Sequence, residues 1–168
     1  MRPTDLVTEF FDRISEHVSE ILDGLGPDDL MWHPADGANP IGWLVWHLSR
    51  VIDAQIADVA GIDQVWVVGD WAKGFGLEPD PGNSGYGHSP EQVAAVRPRD
   101  TKVLGGYFTR VAEQAEDYLA TLTDGDLDRV IDERWDPPVT LGVRLVSIVD
   151  DAIQHAGQAK YVKGLLNR

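Results

Sequence analysis

Apolar residues recur at every third or fourth position in four long stretches of the chain, which is the spacing of one face of an amphipathic α-helix. These stretches run from Thr4 to about Asp23, from Asn39-Pro40 to about Ala60, from Asp100 or Thr101 to near Leu122, and from Thr140 to Arg168. The sequence has no convincing strand pattern. The pattern predicts an all-α protein, a four-helix bundle that forms a single domain over residues 1–168.

The connections between these helices carry strong start and stop signals. Asn39 is expected to cap the second helix with Pro40 in its first turn, and Ser89 to Gln92 matches a capping box that opens a short helix. Between helices two and three, residues 61–99 carry seven glycines and four prolines together with several aromatic residues. A segment of this length and composition predicts a long ordered loop with a functional role.

The other two connections are also expected to have local structure. A helical turn at Pro27 is expected to place Leu30 and Trp32 inward, and residues 130–139 are expected to be extended or irregular because of Pro137-Pro138. Long connections follow helices one and two. They indicate a departure from a simple series of neighbouring helical hairpins.

Composition and charge exclude several classes of function. The chain has 14 basic and 28 acidic residues and a formal net charge of −14, which disfavours nucleic-acid binding. It has no cysteine, so thiolate zinc sites and cysteine nucleophiles are excluded, and a metal must be held by His, Asp or Glu. No apolar run suggests a signal peptide or a membrane span, so a cytoplasmic location is expected. The basic residues Lys160, Lys163 and Arg168 suit the end of a helix.

Two polar residues, Asp151 and His155, interrupt the apolar stripe of the last helix at a spacing of four. His47 lies on the apolar face of the second helix. If these helices are neighbours, two imidazoles and one carboxylate converge, and three such ligands with an open fourth position are typical of a catalytic divalent-metal site. The alternative is that the histidines are ordinary core residues and that Asp151 forms an ion pair, for example with Arg144 or Lys160, or a direct hydrogen bond with a histidine.

Two segments carry a resemblance to a known family: IGWLVWHLSRVIDAQI and VDDAIQHAGQAKYVKGLL resemble the DinB/YfiT-like superfamily of four-helix bundles with a divalent metal. The resemblance implies that His47 is a ligand and that the last helix supplies two more in a pattern H-x-x-x-H-x-G-Q. His155, Gly157 and Gln158 match this pattern, whereas Asp151 replaces its first histidine. An acidic residue there is similar to the mycothiol-dependent maleylpyruvate isomerase branch, where a Glu serves.

Other residues are candidates for roles around this centre. Gln158 and His88 are candidate catalytic residues, Gln158 as a group that orients water and His88 as a further ligand or a general base. Trp66, Trp71 and Tyr86, from the long loop, are candidate walls of a cofactor or substrate pocket. Trp43 and Trp46 are expected on helix faces other than that of His47, as packing residues.

The resemblance implies an enzyme that uses a divalent metal, with zinc first and nickel, manganese or iron as alternatives. A low-molecular-weight thiol of the mycothiol type would be the cofactor, and the expected reaction is transfer to, or isomerisation of, a small electrophile, or else hydrolysis. The alternative is a non-catalytic metal- or small-molecule-binding protein of the stress response. We also expect a small-molecule substrate, no nucleic-acid or membrane partner, and a homodimer.

Overall fold

The computed structural model describes residues 1–166, and four long helices make up most of this part of the chain. They are α1 (Pro3–Leu22), α3 (Ile41–Ala60), α7 (Thr101–Thr121) and α8 (Leu141–Leu166). All four correspond to stretches predicted from the apolar periodicity. The predicted end of the last helix at Arg168 lies outside the described residues.

Short elements fill the connections. The helices are α2 (Pro27–Leu30), α4 (Val65–Val68), α5 (Trp71–Gly74) and α6 (Pro90–Ala95), and a 3-10 helix spans Asp124–Asp128. Two short antiparallel strands, β1 (Val130–Asp132) and β2 (Val139–Thr140), lie between that turn and α8. The sequence did not predict this sheet, because strands of three and two residues are too short to show an alternating pattern.

The packing order of the long helices differs from their order in the sequence. Both α1 and α3 pack against α7 and α8, so α1 and α3 lie on opposite corners of the bundle. The departure from a series of neighbouring hairpins agrees with the long connections noted above. Within residues 1–166, none of the helices combines the length and the apolarity needed to span a membrane.

The central helix is α3, which is buried on every side over its first thirteen residues, from Ile41 to Asp53. Its start differs from the prediction by one residue. Pro40 is extended, with φ −75° and ψ 161°, and its carbonyl accepts the first helical hydrogen bond from Leu44 N at 3.0 Å. Pro40 is therefore the N-cap, and Asn39 lies outside the helix. A helix buried all round places any polar side chain it carries inside the protein.

Two predicted capping arrangements are confirmed, and some predicted burial is wrong. Asp100 Oδ1 accepts a hydrogen bond from Val103 N at 2.8 Å, and Ser89 and Gln92 bond reciprocally.

Leu30 is fully buried, but Trp32 is 37% exposed and does not pack inward as expected. Leu6 and Phe10 belong to the apolar stripe of α1 and would be expected inside, but they are about half exposed and line an open groove beside α8.

The segment from residue 61 to residue 99 is ordered over one side of the bundle, and its aromatic residues anchor it. Trp66 and Phe75 are completely buried, with ring centroids 5.2 and 5.9 Å from that of Tyr107 on α7. Trp46 completes the cluster at 6.1 Å from Trp66. Trp66 thus packs in the core, which corrects the prediction that its ring is a pocket wall.

Candidate metal centre

His47, Asp151 and His155 come together at the contact between α3 and α8. One potential ligand atom from each residue lies within 4.8 Å of those of the other two. The spacing of four along α8 puts Asp151 and His155 on one face of that helix, and α3 brings His47 opposite them. The condition stated from the sequence, that helices two and four of the bundle are neighbours, is therefore met.

The surroundings of His47 fix which ring nitrogen is free. The ring is 5% exposed, and its Nδ1 lies 2.5 Å from the carbonyl oxygen of Ser84. A carbonyl oxygen only accepts hydrogen bonds, so Nδ1 carries the proton and donates. Nε2 then keeps its lone pair, as in histidines that bind a metal through Nε2.

The same argument applies to His155. Its Nδ1 lies 2.9 Å from the main-chain carbonyl oxygen of Asp151, one turn earlier in α8, so this nitrogen also donates and Nε2 is free. The two imidazole centroids are 4.6 Å apart with their planes at 53°. Because the His155 side chain is 19% exposed and that of Asp151 is 32% exposed, the group is open to solvent on one side.

Asp151 supplies the observation that favours a cation most strongly. Its Oδ2 is buried and lacks a hydrogen-bond partner among the described residues. A buried carboxylate oxygen without a partner is costly unless a cation or a hydrogen-bond donor satisfies it. A carboxylate oxygen beside two imidazole nitrogens with free lone pairs is a donor set that suits a divalent transition metal.

The ion pairs of Asp151 with Arg144 and Lys160 do not form, and His155 Nδ1 lies 3.8 Å from Asp151 Oδ2, too far for a hydrogen bond. Arg144 lies 3.8 Å from Asp58 and from Asp132, and Lys160 pairs with Glu20 at 2.5 Å. Both cations proposed as partners are thus engaged elsewhere. The reading in which Asp151 is the ion-pair partner of either residue is wrong.

Burial lowers the pKa of the His47 imidazole below its ordinary value, and the nearby His155 ring adds to this effect. The cause is that the charged imidazolium loses hydration inside the protein. A lower pKa keeps His47 neutral at physiological pH. Only the neutral imidazole has the lone pair that coordinates a metal.

Trp43 belongs to this centre, contrary to the expectation that it faces elsewhere. It precedes His47 by one helical turn, so the two rings share a face and stack with centroids 4.6 Å apart and planes at 13°. Its Nε1 donates to His88 Nδ1 at 3.2 Å. Trp46 does pack in the core as expected. The spacing of four between Trp43 and His47 was visible in the sequence.

His88 lies behind Trp43, and both of its ring nitrogens are occupied. Nδ1 accepts the Trp43 hydrogen bond, and Nε2 lies 2.8 Å from Asn83 Oδ1, to which it donates. Burial lowers its pKa, so the ring is neutral. In this arrangement His88 has no lone pair to offer a metal or a substrate proton, and its contacts support the loop instead.

The remaining candidates are spread over the surface. Gln158 is exposed and lines a groove of about 550 Å³ beside Gly157 and Tyr161. Trp71 packs against Tyr107 and lines a different cavity, near α7. Tyr86 is 93% exposed and forms no wall in this conformation. Gln158 follows His155 by three residues on α8, so it lies about one helical turn from the donor group.

Fold and site together define a four-helix bundle with a group that could hold a metal ion between two of its long helices. A protein-family model described as the DinB superfamily matches residues 11–159, and the chain belongs to that superfamily.

A solved structure extends the match to nearly the whole chain. The crystal structure of a conserved protein from Enterococcus faecalis superimposes with a TM-score of 0.90 and 34% identity, over 98% of this chain and 97% of that one. The comparison with curated proteins gives no match. The family match and the solved structure thus establish the fold, but neither identifies a reaction.

Proposed function

We propose that this protein is a metal-dependent enzyme whose divalent metal is held by His47, Asp151 and His155. The observation that carries the proposal is the unpartnered, buried Oδ2 of Asp151, in a residue whose donor group lies within 4.8 Å of those of two histidines with free Nε2 atoms. Three protein ligands with partial exposure match the open type of site found in catalytic zinc centres rather than the closed four-ligand structural type. Zinc suits the donor set, and nickel, manganese or iron are alternatives.

The chemistry follows from what the chain contains and lacks. When bound, a divalent cation supplies Lewis acidity, which lowers the pKa of a thiol or a water at its open position. The chain has no cysteine, so a sulfur nucleophile must arrive on a small molecule. Trp43 and the Ser84 carbonyl hold His47 in place, and Asp151 provides the negative charge. We propose a thiol of the mycothiol type as cofactor and transfer to, or isomerisation of, a small electrophile.

The groove beside Gln158 is a suitable place for the rest of such a thiol. Its side-chain polar groups include the amides of Asn39 and Gln158, and its lining contains no charged residue. A neutral groove of this kind suits a hydrogen-bonding, uncharged moiety such as a sugar or an amide. The space beside Gly157 is open, because a Cβ there would meet no atom of residues 1–166 within 4 Å apart from the backbone of its own helix.

The experiment uses the full chain, purified without a histidine tag and loaded with zinc. Mycothiol, bacillithiol and glutathione are each offered with 1-chloro-2,4-dinitrobenzene, whose carbon forms a bond to sulfur while chloride leaves. We expect turnover with at least one thiol, and a loss of about 100-fold or more in His155→Ala, which is the scale of losing an essential catalytic component. His17→Ala, a half-exposed histidine on α1, is the matched control and should keep wild-type turnover.

Two outcomes would count against this proposal. Turnover that persists in His155→Ala would show that the metal centre does not take part in the reaction. Stoichiometric metal without turnover for any of the thiols would instead support the non-catalytic binding role.

A further inference from the structure

We propose that Arg50 and the segment 81–85 are positioning elements that hold His47 in its metal-binding tautomer and orientation. The inference rests on the proposed metal site and adds to it a set of groups that do not touch the metal. Histidine ligands are commonly fixed by a hydrogen bond to the other ring nitrogen, and loss of such a partner typically weakens metal binding about 10- to 100-fold.

Arg50 is completely buried, and its guanidinium holds the segment through main-chain oxygens. Nε donates to the carbonyl oxygen of Asn83 at 3.0 Å, and Nη2 donates to that of Pro81 at 3.1 Å. Nη2 also donates to Gln64 Oε1 at 2.8 Å. The planar fork of arginine reaches these acceptors at once, which a lysine ammonium on a flexible stem does not do with the same geometry.

The guanidinium is itself fixed from the opposite side. Nη1 donates to Asp53 Oδ2 and to Tyr107 Oη, both at 3.1 Å, and the Tyr107 hydroxyl donates to Asp53 Oδ2 at 2.8 Å. The ring of Trp66 lies under the guanidinium at 5.0 Å. Asp53, Tyr107 and Trp66 thus hold the Arg50 guanidinium in one position. The segment 81–85 that the guanidinium binds is therefore fixed as well.

The contact with the metal centre is one residue further along. The carbonyl of Asn83 is bound by Arg50, and the carbonyl of the next residue, Ser84, accepts the Nδ1 proton of His47. Arg50 follows His47 by three residues on α3, so helix and segment form a closed loop of contacts. Release of the segment by Arg50 would free the His47 ring to rotate or to move its proton to Nε2, the nitrogen needed for the metal.

Gly85 shows how closely the segment approaches His47. Its φ is +94°, and a Cβ there would lie 2.7 Å from His47 Nδ1 and 2.9 Å from a ring carbon of Trp46. A side chain of any size would therefore push the segment away from the histidine. Gly87 has a φ of +71° but a Cβ there would meet no described atom within 4 Å. The two glycines share a left-handed backbone, and only the first contacts the centre.

This pair provides a matched test. Gly85→Ala and Gly87→Ala both impose a left-handed alanine, so the two variants carry a similar backbone strain. Zinc affinity is measured by competition with a chromophoric chelator, and the ligand field is measured by the visible absorption of the cobalt-loaded full chain. We expect Gly85→Ala to bind zinc about 10- to 100-fold more weakly with a shifted cobalt spectrum. Gly87→Ala should match the wild type in both.

Arg50→Lys is the second variant, because it keeps the charge opposite Asp53 and loses the fork. Its folded fraction is first established by circular dichroism, and we expect a weakened zinc affinity and the same cobalt shift as in Gly85→Ala. A purely structural role would lower the stability of both variants and leave the cobalt spectrum of the folded protein unchanged, which would overturn the inference. Equal zinc affinity in Gly85→Ala and the wild type would also overturn it. A wild type that binds no zinc would overturn the proposed function instead.

Discussion

We expect added zinc to stabilise the wild-type protein against unfolding, and His155→Ala to lose this stabilisation. A ligand that binds only the folded state contributes about 2.7 kcal/mol when its concentration is 100 times its Kd. Removal of one of three ligands at the α3–α8 contact should weaken binding by more than the roughly 10- to 100-fold typical of an outer partner. Thermal unfolding of the metal-free proteins, with and without added zinc, measures the effect.

The control for this experiment is His17→Ala. His17 is a 41% exposed side chain that contacts Lys160 of α8 and lies outside the donor group. Its variant should respond to zinc as the wild type does, which excludes a general effect of removing a histidine. If His155→Ala gains as much stability from zinc as the wild type, the metal binds elsewhere and the assignment of the centre fails.

Asp53→Asn should destabilise the fold more than any surface change on α3. Its carboxylate is completely buried and accepts hydrogen bonds from Val65 N and Trp66 N, both at 2.8 Å, as well as from Arg50 and Tyr107. Neutralising it leaves the buried guanidinium of Arg50 without its counter-charge. Breaking a buried ion pair by removing one partner costs about 3–5 kcal/mol. Urea unfolding with an unchanged m-value measures this as a lower midpoint.

Asp58→Asn is the matched control on the same helix. Its side chain is 76% exposed and lies 3.8 Å from Arg144. An exposed pair of this kind contributes about 1 kcal/mol or less. Similar midpoints for the two variants would show that the Arg50–Asp53 pair does not hold the 61–99 segment to the bundle.

The sequence was sufficient to predict the main helices, because each has an apolar stripe at helical spacing and a recognisable start. Asp100 and the Ser89 capping box confirm this at the level of individual hydrogen bonds. Leu6 and Phe10 show its limit, since periodicity places a residue on a face of α1 but does not show how much of that face a neighbouring helix covers.

The donor group was predicted because Asp151 and His155 are local in sequence and His47 was the matching polar residue on another apolar face. Their convergence depends on α3 being a neighbour of α8, which is a property of the tertiary packing. The partner of His47 was not predictable, because a main-chain carbonyl such as that of Ser84 has no sequence signature. The position of Trp43 beside His47 was predictable from their spacing of four residues. Trp43 was nevertheless expected on another face of the helix.

The network around Arg50 was missed for a different reason. Arg50 and Asp53, three residues apart on α3, have the spacing of an ordinary exposed ion pair. Only the burial of α3 on every side makes the pair internal, and that burial comes from the 61–99 segment folding over it. The pair could have been recognised as internal from the sequence, because the helix around it is apolar on all faces.

The central claim is that the folded chain holds one divalent metal at His47, Asp151 and His155. Its most direct test is elemental analysis of the untagged protein after saturation with zinc and removal of unbound metal, beside Asp151→Asn and His155→Ala. We expect one metal per wild-type chain and much less than one in each variant. A wild type without metal, or variants that retain a full equivalent, would contradict it.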